Sequence, residues 1–144
     1  MIHAKHHELV THIMTKNPKT IHLKTLISEV GHIFSEGKFH HLPVVNGKEL
    51  IGIVSYFDLI RVSFEQSFGV IDEKAVYAVL DHTLDIESIM TKDPECIQDT
   101  STIYEAAKRL STGAFHSLPV VDANHEIKGI VTTKDLVDYL LKLY

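Results

Sequence analysis

Two short arrangements hold chemistry-bearing side chains at a fixed spacing: Ser55-x-x-Asp58 and Thr132-x-x-Asp135. A hydroxyl followed three residues later by a carboxylate is a helix capping box, worth about 1 kcal/mol. The same groups can do more. A carboxylate has two acceptor oxygens and can take both hydroxyls of a vicinal diol such as that of a ribose. A hydroxyl and unpaired N–H groups at a helix start can hold a phosphate. The residues alone leave capping and ligand binding both open. His40 and His116 each precede an apolar run. Such a histidine can sit at a strand edge with no further role, or its imidazole can donate to an anion, most strongly when protonated. Lys134 adds positive charge beside Asp135, where the other copy has Phe57.

These residues recur because the chain repeats itself. Phe39-His40-His41-Leu42-Pro43-Val44-Val45 returns as Phe115-His116-Ser117-Leu118-Pro119-Val120-Val121. Ile13-Met14-Thr15-Lys16-Asn17-Pro18 returns as Ile89-Met90-Thr91-Lys92-Asp93-Pro94. Gly52-Ile53-Val54-Ser55 returns as Gly129-Ile130-Val131-Thr132, after one extra residue in the second turn. Loop tips absorb such insertions easily.

The elements that position these motifs follow from periodicity. Leu9, Val10 and Ile13 predict a short amphipathic helix over residues 5–13. Thr20-Ile21-His22 and Cys96-Ile97 predict short extended pieces. Ile27, Val30 and Phe34 predict a helix capped by Thr25 or its neighbours and running to about Glu36, with Gly37 as its stop. Residues 40–46 and 50–54 predict a hairpin around Asn46-Gly47. Helices are expected from Tyr56 to Gln66 and from Thr133 to Leu143. Residues 67–85, with Gly69 and Asp72-Glu73-Lys74, predict a loop entering a short helix that carries Val76, Val79 and Leu80. The division expected is a first repeat over 1–66, a connector over 67–85 and a second repeat over 86–144. One such unit is marginal alone, and two can bury their sheets with clefts between the halves.

The chain has 144 residues, 44% hydrophobic and 23% charged, as a soluble globular protein does. A net charge of −5 argues against a nucleic-acid partner, which needs a basic face. A lone cysteine, Cys96, excludes an internal disulfide. The sequence shows no signal-peptide pattern and no apolar run near the ~18 residues of a membrane span. A cytoplasmic location without membrane association is expected.

The paired Met-Thr-x-x-Pro, Leu-Pro-Val-Val and Gly-Ile-Val-(Ser/Thr)-x-x-Asp motifs resemble a tandem pair of cystathionine-β-synthase (CBS) domains, a Bateman module. The resemblance covers nearly the whole chain and points to a stand-alone member. It implies an α/β fold of the α+β type, with two β-α-β-β-α repeats related by a pseudo-two-fold axis. It also implies a homodimer and a regulatory, non-catalytic role. The implied ligand is AMP, ADP, ATP or S-adenosylmethionine, held in clefts between the repeats, with no other cofactor required. By the same resemblance, backbone groups at Thr20-Ile21 and Cys96-Ile97 read the adenine edge. His40, His41, His116 and Pro119 border the ligand. Ser55, Asp58, Thr132 and Asp135 take ribose and phosphate, and Lys134 adds charge. Tighter phosphate binding is expected where Lys134 stands.

Two other readings follow from the residues. One is a dimerisation or interaction scaffold with vestigial clefts, the Val76, Tyr77, Val79 and Leu80 stripe contributing to its interface, and a regulated protein as partner. The other is metal binding through His3, His6, His7 and His12. A solvated helix face explains those histidines better, because no zinc-site pattern accompanies them. No nucleophile elbow, phosphate-cradling glycine loop or Cys-x-x-Cys is present, so no enzyme is expected.

Overall fold

A computed structural model describes residues 7–67 and 73–144. In chain order its elements are a 3-10 turn (Val10–His12), β1 (Thr15–Lys16), α1 (Ile27–Ser35), β2 (His41–Asn46), β3 (Glu49–Ser55), α2 (Tyr56–Ser67) and α3 (Glu73–Thr83). They continue with α4 (Ile86–Ile89), β4 (Thr91–Lys92), β5 (Ile97–Gln98), α5 (Ile103–Leu110), β6 (Ser117–Val121), β7 (Ile127–Thr132) and α6 (Thr133–Lys142). No helix among the described residues is long and apolar enough to cross a membrane. Two compact units result. The first is Lys19–Pro94, and the second joins the described residues up to Pro18 with Glu95–Tyr144.

Each unit has the expected β-α-β-β-α order. In the first, Ile21 bridges Val44 in parallel, and β2 pairs antiparallel with β3. In the second, β5 runs parallel to β6, and β6 pairs antiparallel with β7. Alternation on β3 sends Leu50, Gly52 and Val54 inward. The first core gathers Ile21, Val30, Phe34, Leu42, Val44 and Val54, and the second gathers Val10, Ile97, Ala106, Leu118, Val120 and Val131.

The Met-Thr motif closes the sheet of the opposite repeat. Thr15 pairs with Ile130 in the second unit, and Thr91 pairs with Ile53 in the first. This crossing explains the repeated glycine. A Cβ on Gly129 would stand 2.4 Å from Met14 Sδ and 2.7 Å from the Thr15 carbonyl oxygen. A Cβ on Gly52 would stand 2.4 Å from Met90 Sδ. The compact units therefore differ from the sequence repeats at their amino ends.

Several local expectations change. The helix over residues 5–13 is instead a 3-10 turn at Val10–His12; residues 5 and 6 lie outside the described ones. The competing partner is the strand-like segment before α5. Val10 N–H donates to Ser101, and Ile103 N–H donates to Glu8. Thr25 does not cap α1. Its hydroxyl accepts from His22 N–H, and the α1 N-cap is Leu26, which offers no side-chain acceptor. Ser28 N–H donates instead to the Asp81 carboxylate on α3, at 2.9 Å. Helix α5, by contrast, carries its own capping box of Thr102 and Glu105.

The connector is thus a working part of the first unit. Val76 and Leu80 are buried in its core, Tyr77 packs against that core, and only Val79 of the stripe is exposed. The stripe's burial leaves little of it for an interface. Gly31 admits this packing, since a Cβ there would lie 2.5 Å from the Tyr77 ring. The second repeat has Ala107 at the matching position. Gly69 lies outside the described residues.

Two predictions follow from these contacts. Gly31→Ala should destabilise the protein by about 1–3 kcal/mol through overpacking. Most of that cost should vanish in a Tyr77→Ala background, measured as the coupling in a urea-unfolding double-mutant cycle. In the second unit, Tyr139 on α6 donates its hydroxyl to the Glu8 carboxylate. That bond, with burial and the nearby charge of Glu8, pushes the Tyr139 hydroxyl up to about 12 from its ordinary 10.0. Tyr139→Phe should cost about 1 kcal/mol. In the unaltered protein this contribution is complete below the ordinary tyrosine value and is lost as pH rises through the raised one, as urea titrations at successive alkaline pH values would show.

Candidate functional site

The hairpin ends and helix starts fall together because β3 runs directly into α2, and β7 directly into α6. In the first unit His41 lies opposite Ser55 in the ladder, and Tyr56 N–H donates to the His40 carbonyl at 2.9 Å. In the second, Ser117 lies opposite Thr132, and Thr133 N–H donates to the His116 carbonyl at 3.1 Å. The sequence places a turn of helix after a strand whose partner begins with histidine, and these backbone bonds lock that junction.

Each junction then carries its capping box. Asp58 Oδ2 accepts from Ser55 N–H at 2.8 Å and from the Ser55 hydroxyl at 2.9 Å. Asp58 N–H donates back to Ser55 Oγ at 3.1 Å. Asp135 Oδ2 accepts from Thr132 N–H at 2.8 Å and from the Thr132 hydroxyl at 3.1 Å. Both boxes therefore use one carboxylate oxygen and leave Oδ1 outside the cap. The capping reading holds in full, and it keeps half of each carboxylate available for something else.

On the other side of the histidine strand lie Thr20-Ile21 and Cys96-Ile97. Ile21 gives its N–H to Pro43 and its carbonyl to Val45 N–H, at 3.0 and 2.9 Å. Both its polar groups thus face β2, so those of Thr20 and His22 face outward. Cys96 and Gln98 take the same orientation beside β6. The side chains of Ile21 and Ile97 are buried in the two cores, 3% and 5% exposed, and Pro119 is buried within β6. What these positions present at the edge is backbone. His40 and His116 are exposed at the strand starts, and Thr20 and Cys96 are half-buried.

The structure thus joins His40, His41, Ser55 and Asp58 at the start of β2 in the first unit, while Ile21, with Thr20 before it, lies beside Pro43 to Val45 further along that strand. In the second it joins His116, Ser117, Thr132 and Asp135 at the start of β6, while Ile97, with Cys96 before it, lies beside Val120, next to Pro119. Lys134 is on α6, but its ammonium pairs with Asp138 at 2.7 Å, and that bond raises its pKa. The free charge expected beside Asp135 is neutralised there. The Cys96 thiol is raised by burial, against the opposing pull of Arg109, and stays protonated. Among the described residues no three His, Cys, Asp or Glu side chains are grouped to hold a metal; His12 faces Glu8, and His3 and His6 lie outside those residues.

Contacts of three cations, Arg61, Lys134 and Arg109, add to the picture. Arg61 Nη2 lies 3.5 Å from Asp58 Oδ1. Its i+3 spacing was visible, as was the i+4 spacing of Lys134 and Asp138. Arg109 Nη1 donates to the Cys96 carbonyl at 2.5 Å, and Nη2 pairs with Glu95. No local spacing announces a contact 13 residues apart. A cavity of about 660 Å³ also opens in the first unit between Phe34, Tyr56, Leu59, Phe64 and Tyr77, with His40 at its wall.

The CBS domain family model matches residues 10–65 and 86–142. A CBS domain-containing protein of Dictyostelium discoideum is 32% identical over 136 residues, which are 94% of this chain and 92% of that protein. A crystal structure of CBSX2 in complex with AMP is similar with a TM-score of 0.77 at 26% identity, over 94% of this chain and 98% of that one. The CBS domain pair of protein MJ0100, in complex with 5'-methylthioadenosine and S-adenosyl-L-methionine, is similar with a TM-score of 0.74 at 26% identity, over the same shares. With both repeats matched in sequence and in fold, the chain belongs to the CBS domain family as a tandem pair.

Proposed function

We propose that this CBS pair is a regulatory, non-catalytic module that binds an adenosine-containing ligand and transmits its presence to a partner protein. The observation that carries this reading is the split use of Asp58 and Asp135. In each, one oxygen closes the helix cap, while the other lies outside it; that of Asp58 meets the Arg61 guanidinium at 3.5 Å, a long contact that a ligand hydroxyl can share. Such an oxygen suits a ribose diol, because an ionised carboxylate makes strong charge-assisted hydrogen bonds. The helix start beside it suits a phosphate. The ligands named for the similar structures are AMP, 5'-methylthioadenosine and S-adenosyl-L-methionine. All three carry adenosine or its 5'-thio equivalent, and so the same diol. A ligand shifts such a module only by its differential affinity for two states.

A second reading, a cytoplasmic homodimer that works as a scaffold, draws on exposed apolar side chains. Phe57 and Phe64 on α2 are each 82% exposed, and Leu141 on α6 is 69% exposed. Apolar surface of this kind commonly marks an interface. In this reading the clefts are vestigial, so ligand binding separates the two.

The test is a thermal-shift panel of AMP, ADP, ATP, S-adenosylmethionine, 5'-methylthioadenosine and GMP. A true ligand at 100 times its Kd stabilises by about 2.7 kcal/mol. At least one adenosyl compound is expected to raise Tm, with GMP inert. No shift from any compound at millimolar concentration would overturn the sensing reading and leave the scaffold. Asp58→Asn and Asp135→Asn retain an acceptor for the cap but lose the charge. At least one of them should weaken the active ligand about tenfold with little loss of stability, roughly the 1.4 kcal/mol of one charge-assisted bond.

A further inference from the structure

The two candidate sites differ in what stands on their free polar groups. In the first unit, Asp58 Oδ1 faces the Arg61 guanidinium at 3.5 Å. Arg61 is 59% exposed at its side chain, and a guanidinium has five donors in a planar fork. This long, single contact leaves the other donors open at the start of α2. Position 138, which matches Arg61 in the second repeat, is an aspartate. Asp138 takes up the Lys134 ammonium, so that an ion pair with no net charge replaces the arginine beside Asp135.

The strand edges differ in the same sense. Lys19 and Lys38 of the first unit are matched by Glu95 and Ala114 of the second, and His41 by Ser117. Arg109 adds a positive charge to the second unit, but both its contacts are internal, to the Cys96 carbonyl and to Glu95. It stands at the wall of a recess of about 360 Å³ that borders this edge. The Cys96 carbonyl is the outward acceptor that a purine amino group would need, and Arg109 covers its approach. The first repeat has Ile33 at the matching position, which has no donor to place on Thr20.

We infer that the first unit takes the phosphate-bearing adenosine ligand, with Arg61 as the residue that selects for the phosphate, and that Arg109 holds the second unit closed to it. This inference rests on the adenosine-sensing reading, and it reverses the expectation that Lys134 marks the tighter phosphate site. A monoanionic or dianionic phosphate gains from the arginine and strand-end cations of the first unit. In the second it meets the Lys134–Asp138 pair, which carries no net charge, and a purine edge already engaged by Arg109, with Lys108 the remaining cation of that recess.

Isothermal titration of the full chain with AMP and, separately, with adenosine at low salt tests it. The unaltered protein should bind AMP at one tight site per chain. Arg61→Asp, an exposed change that leaves the fold intact, should weaken AMP at least tenfold and adenosine less than threefold; Arg61→Lys should recover most of the AMP affinity. Arg109→Ile should bring a second AMP into measurable range. Asp58→Asn should weaken the tight site at least tenfold more than Asp135→Asn does. Equal weakening of AMP and adenosine by Arg61→Asp, or a tight site that follows Asp135, would overturn the inference. So would unchanged stoichiometry in Arg109→Ile, or binding of S-adenosylmethionine without AMP, which would leave adenosine sensing itself intact. Binding of no adenosyl compound would instead overturn the sensing reading and this inference with it.

Discussion

The hydrogen bonds from Ser55 and Thr132 to the carboxylates three residues later organise this protein at two scales. Locally, each satisfies the N–H of the N-cap residue, and the bond returned from Asp58 or Asp135 N–H to the hydroxyl satisfies one unpaired N–H of a helix that starts without an intervening loop. At the scale of the unit, each fixes where a strand stops and a helix begins, and so where the neighbouring strand starts. The adjoining bond from Tyr56 N–H to the His40 carbonyl, or from Thr133 N–H to that of His116, carries the constraint sideways. A capping interaction and a ligand-binding geometry are therefore not rival explanations of one motif. The cap uses one oxygen and holds the other still.

The remaining architecture keeps that junction in place. The Met-Thr strands cross to the opposite repeat's sheet, and glycines 52 and 129 are the clearance they need. The first unit is buttressed further by α3, through Asp81 on the start of α1 and Tyr77 over Gly31. Among its described residues the second unit has no such helix. It uses the Thr102–Glu105 capping box at α5 and the Tyr139–Glu8 bond at α6. Two copies of one sequence pattern are thus stabilised by different means, and the differences extend to charges beside Asp58 and Asp135.

The repeat, the hairpins, the helix order and both capping boxes could be read from the sequence because each has local periodicity or fixed spacing. What could not be read was non-local. Residue spacing put the α1 cap at Thr25 or its neighbours, and Leu26 stands there, but the acceptor that serves the helix start is Asp81, 53 residues from Ser28. The apolar pattern at Leu9 to Ile13 suited a helix, yet backbone pairing with residues 101 to 103 prevails over it. The Lys134–Asp138 pair is the exception, since its i+4 spacing is local and legible. Arg109 was invisible except as the residue standing where the other copy has Ile33. Comparing the copies position by position, rather than reading each alone, exposes such departures.

Hydrogen–deuterium exchange of the full chain with and without saturating AMP tests the central claim most directly, since it reads the backbone at the junctions themselves. The account predicts slowed exchange at the start of α2 and along residues 19–22 and 40–41, where the strand ends and Asp58 converge. Protection confined to the cavity between α1, α2 and α3, or no protection at either junction with any adenosyl compound, would contradict it.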